Sequence, residues 1–241
     1  MNGSQNIFFY IVIAALVLIF IVLFWCIRKE RQQNLEMLEL VFGVTEVGDP
    51  SLDGHSLNVL YLTMLLYDFL PFRYRLRLNR RKLAYAALML DLGKFGIPSR
   101  IRNKKGKLSE EEWQMMRQHP EFGKNLVGTI PAIRSVQEWI LYHHEHVDGS
   151  GYYKRKGAEI PLASRLLAVT DTYSAITMVR PYRPSLPYED AIMELKLVAG
   201  TQLDQELVDC FCNIPPKRIN ERIDQVRRKM ECYTQEHITE G

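Results

Sequence analysis

Six side chains of metal-ligand type stand out in a chain otherwise rich in apolar, helix-forming patterns: His55, Asp91, His119, the adjacent pair His143 and His144, and Asp171. A lone histidine on an apolar face is ordinarily a hydrogen-bonded core residue. Here five of the chain's six histidines lie between His55 and His146, interleaved with carboxylates, and imidazole with carboxylate is a donor mix suited to iron, manganese or zinc. His143 and His144 cannot share one face of a continuous helix. They require either a site at a helix end or ligands to two different ions, and this spacing favours a two-metal site.

Cations and a glycine-containing loop accompany these donors. Lys94 follows Asp91 by three residues, and Arg180 and Arg183 follow Asp171; guanidinium groups recognise phosphate oxygens in a planar, bidentate way. Taken singly, each of the three reads as a solvated surface cation. The segment "DGSGYY", 148–153, supplies two glycines that let the backbone approach a ligand closely, which makes Gly151 and Tyr152 candidate binding residues.

The motifs "LDLGKFGIP", "GKLSEEEWQMMRQHPEFG", "HHEHVDGSGYY", "IPLASRLLAVTDTYSAI", "RPYR" and "GTQLDQELVDCF" run in this order over roughly 53–211. In order and spacing they resemble the HD-GYP subgroup of the HD superfamily, metal-dependent phosphodiesterases that degrade cyclic di-GMP. The resemblance implies an α-helical bundle around a bi- or trinuclear iron or manganese centre. It assigns metal ligation to His55, Asp91, His119, His143, His144 and Asp171, with Asp91 bridging two ions, and it makes Asp91 and Lys94 the catalytic pair. Lys94, Arg180 and Arg183, with Gly151 and Tyr152 of the loop, would hold the substrate.

Three residues depart from the family pattern. Leu90 replaces the histidine of the His-Asp pair, Tyr153 the proline of the Gly-Tyr-Pro loop, and Ser174 an aspartate that usually follows the last ligand. A leucine offers no lone pair, so the ion held by His55, Asp91 and Asp171 is the poorer one, although open sites commonly work with three protein ligands and water. The ion on Asp91, His119, His143 and His144 keeps its donors. Two divalent ions are therefore expected, or one if Leu90 removes the weaker. The expected function is a phosphodiesterase of weakened activity on cyclic di-GMP or a related nucleotide; the alternative is an inactive receptor or signalling scaffold.

Helices must position this set, and the expected fold class is all-α: an HD-type helical bundle preceded by one N-terminal transmembrane helix. Apolar residues recur at helical spacing at Leu57, Leu60, Tyr61, Met64, Leu65 and Phe69, and again at Leu83, Ala86, Ala87 and Leu90. Further helices are expected over Ser109–Gln118, where Ser109 and Glu112 form a capping box, and over Pro131–His146, Leu162–Val179 and Tyr188–Leu197. "FRYRLRL", 72–78, reads as an irregular basic connection, or less readily as an edge strand. From Pro216 a helix puts Ile219, Ile223, Val226 and Met230 on one face, to dock on the domain or, as the lesser expectation, to pair two chains.

Residues 7–27 carry no charge over 21 positions, enough to cross a hydrocarbon core of roughly 30 Å. Arg28, Lys29 and Arg31 follow and no basic residue precedes, so the positive-inside rule places the N-terminus outside and the bulk in the cytoplasm. A cleaved signal peptide would instead begin with a basic region and end in a small-residue cleavage site. The expected organisation is an extracytoplasmic stub (1–6), an inner-membrane helix (7–27), a linker (28–50), the HD-GYP-like domain (51–214) and a C-terminal amphipathic helix with tail (215–241). A net charge of +3 is too small to argue for DNA. Four irregularly spaced cysteines suit a reducing cytosol. Expected partners are a cyclic dinucleotide, the inner membrane, and a second copy or signalling protein through the linker or last helix. The basic residues Arg73, Arg75, Arg77, Arg80, Arg81 and Lys82 form either a solvated connector or a contact with anionic lipid.

Overall fold

The computed structural model describes residues 3–47, 54–178 and 185–238, without the side chains of 3–12, 14, 15, 31 and 236–238. Arg180 and Arg183 lie outside the described residues. Twelve α-helices are described: α1 (Gly3–Val47), α2 (His55–Phe69), α3 (Phe72–Arg75), α4 (Arg80–Leu88), α5 (Ser99–Arg102), α6 (Glu110–Met116), α7 (His119–Gly128), α8 (Gln137–Leu141), α9 (Leu162–Thr177), α10 (Tyr188–Val198), α11 (Gln205–Cys212) and α12 (Pro216–Ile238). Short 3-10 turns join them, and among the described residues there is no strand, only an isolated bridge between Ala199 and Leu203.

The chain divides into two units, Met1–Val41 and Phe42–Gly241. Within the first, α1 carries exposed apolar side chains from Leu16 to Trp25, Phe20 and Phe24 stacking along it. Among the described residues, no helix is long and apolar enough to cross a membrane. The expected span 7–27 falls partly on residues whose side chains are outside the description.

In the second unit α2 is the central element, buried on nearly every face from His55 to Leu66. α4, α9 and α12 pack around it. Burying leucines such as Leu57, Leu62, Leu65 and Leu66 stabilises the fold by about 1.5–3 kcal/mol each. Polar pairs also join α2 to α9: the Thr63 and Thr170 hydroxyls are 2.7 Å apart in the interior, alongside contacts from His55 and Asn58 described below.

Local chemistry sets the helix ends. The Asn79 side chain accepts the Lys82 N–H at the start of α4, the Asp204 side chain that of Leu207 at the start of α11, and Ser109 with Glu112 forms the anticipated capping box on α6. The stretch read as an irregular connection contains a helical turn, α3, because the Tyr74 hydroxyl and Arg73 guanidinium are both held by the Glu206 carboxylate of α11. The helix expected over Pro131–His146 is shorter than its pattern: a 3-10 turn at Arg134–Val136 precedes α8, which stops at Leu141. The α12 face of Ile219, Val226 and Met230 is buried against α2, the docking arrangement.

Candidate metal centre

Asp91 reaches the site through the end of α4. That helix stops at Leu88, the chain turns through Met89 and Leu90, and Asp91 begins a 3-10 turn over Leu92–Gly96. Gly93 of this turn lies so close to α7 that a Cβ there would strike the His119 carbonyl and approach the Gly123 nitrogen to 2.5 Å. Gly123 in turn packs against Ile140 of α8. Two glycines thus let the segments carrying Asp91, His119 and the approach to His143 stack directly on one another. His119 opens α7, His143 and His144 follow the end of α8, His55 opens α2, and Asp171 sits within α9. Placing the adjacent histidines beyond a helix end lets both rings turn to one side, 4.0 Å apart.

The six donors converge in two groups. Asp91, His119, His143 and His144 present ligand atoms all within 4.8 Å of one another, and so do His55, Asp91 and Asp171. Asp91 belongs to both: its Oδ1 lies 3.4 Å from His119 Nε2, its Oδ2 3.4 Å from His55 Nε2. The donor set fits cations on a physical criterion. His119 Nδ1 is 2.8 Å from the Met116 carbonyl and His143 Nδ1 2.6 Å from that of Ile140, so each Nδ1 is the protonated nitrogen and donates. With Nδ1 so engaged, each ring turns Nε2 inward, and the two Nε2 atoms face each other at 3.4 Å. Two ring nitrogens facing each other in the interior need a metal cation or a proton between them.

Electrostatics agree with that assignment. Burial pushes His143 down to about 4, with the neighbouring His119 adding to the effect, and burial together with His143 holds His144 well below the ordinary imidazole value. Both are neutral, as ligation requires. At His55 burial works against charge, yet hydrogen bonds to the Asp171 and Asp91 carboxylates outweigh it and lift the pKa to about 9. At Asp91 burial is overcome by the Lys94 ammonium, His119 and His55, and at Asp171 by the hydrogen bond from His55; both carboxyls are held well below the usual range. A proton on His55 and the Lys94 ammonium, 2.6 Å from Asp91 Oδ2, thus balance the carboxylates.

The departures from the family pattern have definite surroundings. Leu90 is 2% exposed and adds no donor to the group of three. Ser174 Oγ lies 2.9 Å from His55 Nδ1, accepts from Asn58 Nδ2 at 3.2 Å and points its proton to Met178 Sδ at 3.3 Å. It steadies the ring of His55, a role not read from the sequence. Tyr153 packs edge-on to Tyr142, 5.6 Å between centroids, while the Arg155 guanidinium covers Tyr142 at 4.1 Å.

Gly151 does make a close backbone approach, but to its own chain. A Cβ there would come within 2.5 Å of Glu145 Cα and 2.8 Å of the His144 carbonyl. The residue presses the loop beneath the histidine pair. Tyr152 lies 4.9 Å from the His144 ring, with the Arg117 guanidinium 5.6 Å from its ring centroid. Glu145 went unremarked in the sequence, although a carboxylate embedded in "HHEH" is an unusual letter there. It is buried, and accepts the N–H groups of Tyr153 at 2.6 Å and Arg155 at 2.5 Å, so it orders the loop. His146 bonds Ser150 on the surface and belongs to neither donor group.

Comparison with known proteins places these features in a family. The family description "HD domain" matches residues 76–207. The chain is 31% identical over 182 residues to a cyclic di-GMP phosphodiesterase of Thermotoga maritima, covering 74% of this chain and 49% of that protein. It is 31% identical over 179 residues to 3'3'-cGAMP-specific phosphodiesterase 3 of Vibrio cholerae, covering 73% and 38%. The chain thus spans half or less of the length of these relatives. Its fold is similar to the crystal structure of a cyclic GMP-AMP-specific phosphodiesterase of V. cholerae, with a TM-score of 0.57 at 18% identity over 80% of this chain and 53% of that one. It is also similar to an HDG"Y"P protein of Bdellovibrio bacteriovorus, with a TM-score of 0.52 at 16% identity over 67% and 53%. The chain belongs to the HD-domain family, in its HD-GYP group, with Leu90-Asp91 where that family's name-giving pair is His-Asp.

Proposed function

We propose that the chain is a metal-dependent phosphodiesterase acting on cyclic di-GMP or a related cyclic dinucleotide, with activity lowered by Leu90. The observation that carries the reading is the pair of donor groups sharing Asp91, one with four ligand residues and one with three. Divalent ions there would supply Lewis acidity toward a phosphodiester and activate a water at neutral pH. The rest is the work of this chain's own side chains. Lys94, whose side chain is partly open to solvent, neutralises phosphate beside Asp91. Tyr152, beside the tilted His144 ring and near the Arg117 guanidinium, offers an aromatic ring for a base to stack on. Arg180 and Arg183 take further phosphate oxygens.

The chain should be purified under iron- or manganese-replete anaerobic conditions, its metals counted, and the turnover of cyclic di-GMP and 3'3'-cGAMP followed. Hydrolysis that needs metal and disappears in Asp91→Asn is the expected result. The buried, donorless Leu90 favours a second reading, a receptor that binds the nucleotide without cleaving it. Tight binding by the metal-loaded chain with no turnover would select it, and neither binding nor turnover would end both.

The N-terminal helix is read here as a single-pass anchor in the cytoplasmic membrane with the HD domain in the cytoplasm. Its support is the uncharged run 7–27 with basic residues directly after it, and the apolar side chains exposed between Leu16 and Ile27. Resistance to alkaline carbonate extraction tests it; release into the supernatant overturns it.

A further inference from the structure

We infer that α3 and its flanks form a second, interfacial contact with an anionic lipid surface, apart from the N-terminal helix. Phe72 is 66% exposed and Leu76 70%. They stand one helical turn apart on the helical segment from Phe72 to Leu76, so they share a face, and Phe69 adds a third exposed apolar side chain just before it. Large apolar side chains exposed together mark an interaction site rather than ordinary surface scatter. Arginines surround them. Arg73 is held by Glu206 and Arg80 faces Asp68 at 3.5 Å, but Arg75, Arg77 and Arg81 are exposed with no acidic partner among the described residues.

An apolar face flanked by unpaired guanidinium groups is the composition of a helix lying in the headgroup region, with rings and aliphatic chains entering the acyl boundary and positive charge at the phosphates. The unpaired arginines select an anionic over a zwitterionic surface. A nucleic acid would satisfy the charges but leave Phe72 and Leu76 in water. The patch follows the C-terminal end of α2, whose first residue is His55, so about 20 Å of helix keeps the lipid surface off the metal centre.

The test places a tryptophan at the face, Leu76→Trp, in the full chain reconstituted in nanodiscs whose acyl chains carry bromine, and compares its emission with that of the unsubstituted chain. Leu76 is exposed, so the change leaves the core intact, and Phe72→Trp serves as a second reporter. Extra quenching is expected in discs containing phosphatidylglycerol and not in pure phosphatidylcholine discs. Replacing Arg75, Arg77 and Arg81 with Gln should lower the docked-to-free ratio about a hundredfold, close to fivefold per charge. Equal quenching in both lipids, or none in either, overturns the inference. Emission that responds to protein concentration and not to lipid also overturns it, assigning the face to a second copy. Retention on the discs reports the N-terminal helix separately, so the two readings fail independently.

Discussion

Lys94 Nζ lies 2.6 Å from Oδ2 of Asp91, on the carboxylate common to both donor groups. The ammonium therefore occupies a position from which it opposes any divalent cation that Asp91 bridges. At this range, and at the effective dielectric of a partly buried site, unit charges interact by a few kcal/mol. Replacing Lys94 with Met should tighten manganese binding by about tenfold or more in a calorimetric titration, while any turnover falls because the phosphate loses its cation. Unchanged affinity would mean that the ammonium leaves Asp91 freely and does not compete.

Leu90 sits in the core immediately before that carboxylate. Leu90→His exchanges a buried apolar side chain for an imidazole, which without an ion costs about 1–3 kcal/mol as an unsatisfied polar group. With manganese or iron the new donor completes a fourth position in the His55, Asp91 and Asp171 group. The melting temperature of the variant is thus expected below that of the parent in chelator and to recover in metal, with one more ion per chain and faster hydrolysis. A deficit that metal fails to repair would show that position 90 faces away from the centre.

Much of this arrangement was readable from the sequence, because helical periodicity and ligand chemistry are local signals. The stripe from Leu57 to Leu65 became the buried body of α2, and the adjacency of His143 and His144 already called for either a helix end or ligands to two ions, of which the fold supplies the helix end. What could not be read depends on partners far along the chain. The alternation in "FRYRLRL" resembles a strand until Glu206 of α11 holds Arg73 and Tyr74 in a helical turn. Gly93 looks like a loop glycine, yet its need is set by the His119 carbonyl against which it packs. Ser174 looks like a lost acid, and only the fold shows its hydroxyl beside His55 Nδ1.

That hydroxyl gives a third prediction. Ser174→Ala removes the acceptor shared by His55 Nδ1 and Asn58 Nδ2, leaving two buried donors without their partner. A loss of about 1–3 kcal/mol in stability is expected, with metal affinity in the His55 group lowered about 10 to 100-fold. The four-donor group should keep its ion, so titration of the variant resolves one tight and one weakened site. Equal weakening of both would place the effect in general misfolding rather than in the orientation of His55.

Glu46, in the last turn of α1, is buried and accepts the N–H of Ser56 through both oxygens, at 3.2 and 3.3 Å. Burial raises its pKa to about 7, offset only in part by the Ser56 hydrogen bond and the nearby His55. The folded state thus holds this proton more tightly than the unfolded chain, whose carboxyl titrates near 4.5. The associated stability is complete below that value and is lost as pH rises through about 7, a loss of about 3 kcal/mol once the group is ionised. Glu46→Gln keeps an oxygen for the Ser56 N–H and has no proton to lose. Thermal unfolding of the chelated protein should therefore show the variant and parent nearly equal at pH 5, and the variant more stable at pH 8. His55 is common to both proteins, so its titration enters the difference only through its coupling to Glu46. A gap between variant and parent that is the same at both pH values would mean that Glu46 is ionised throughout, with Ser56 and solvent compensating its charge.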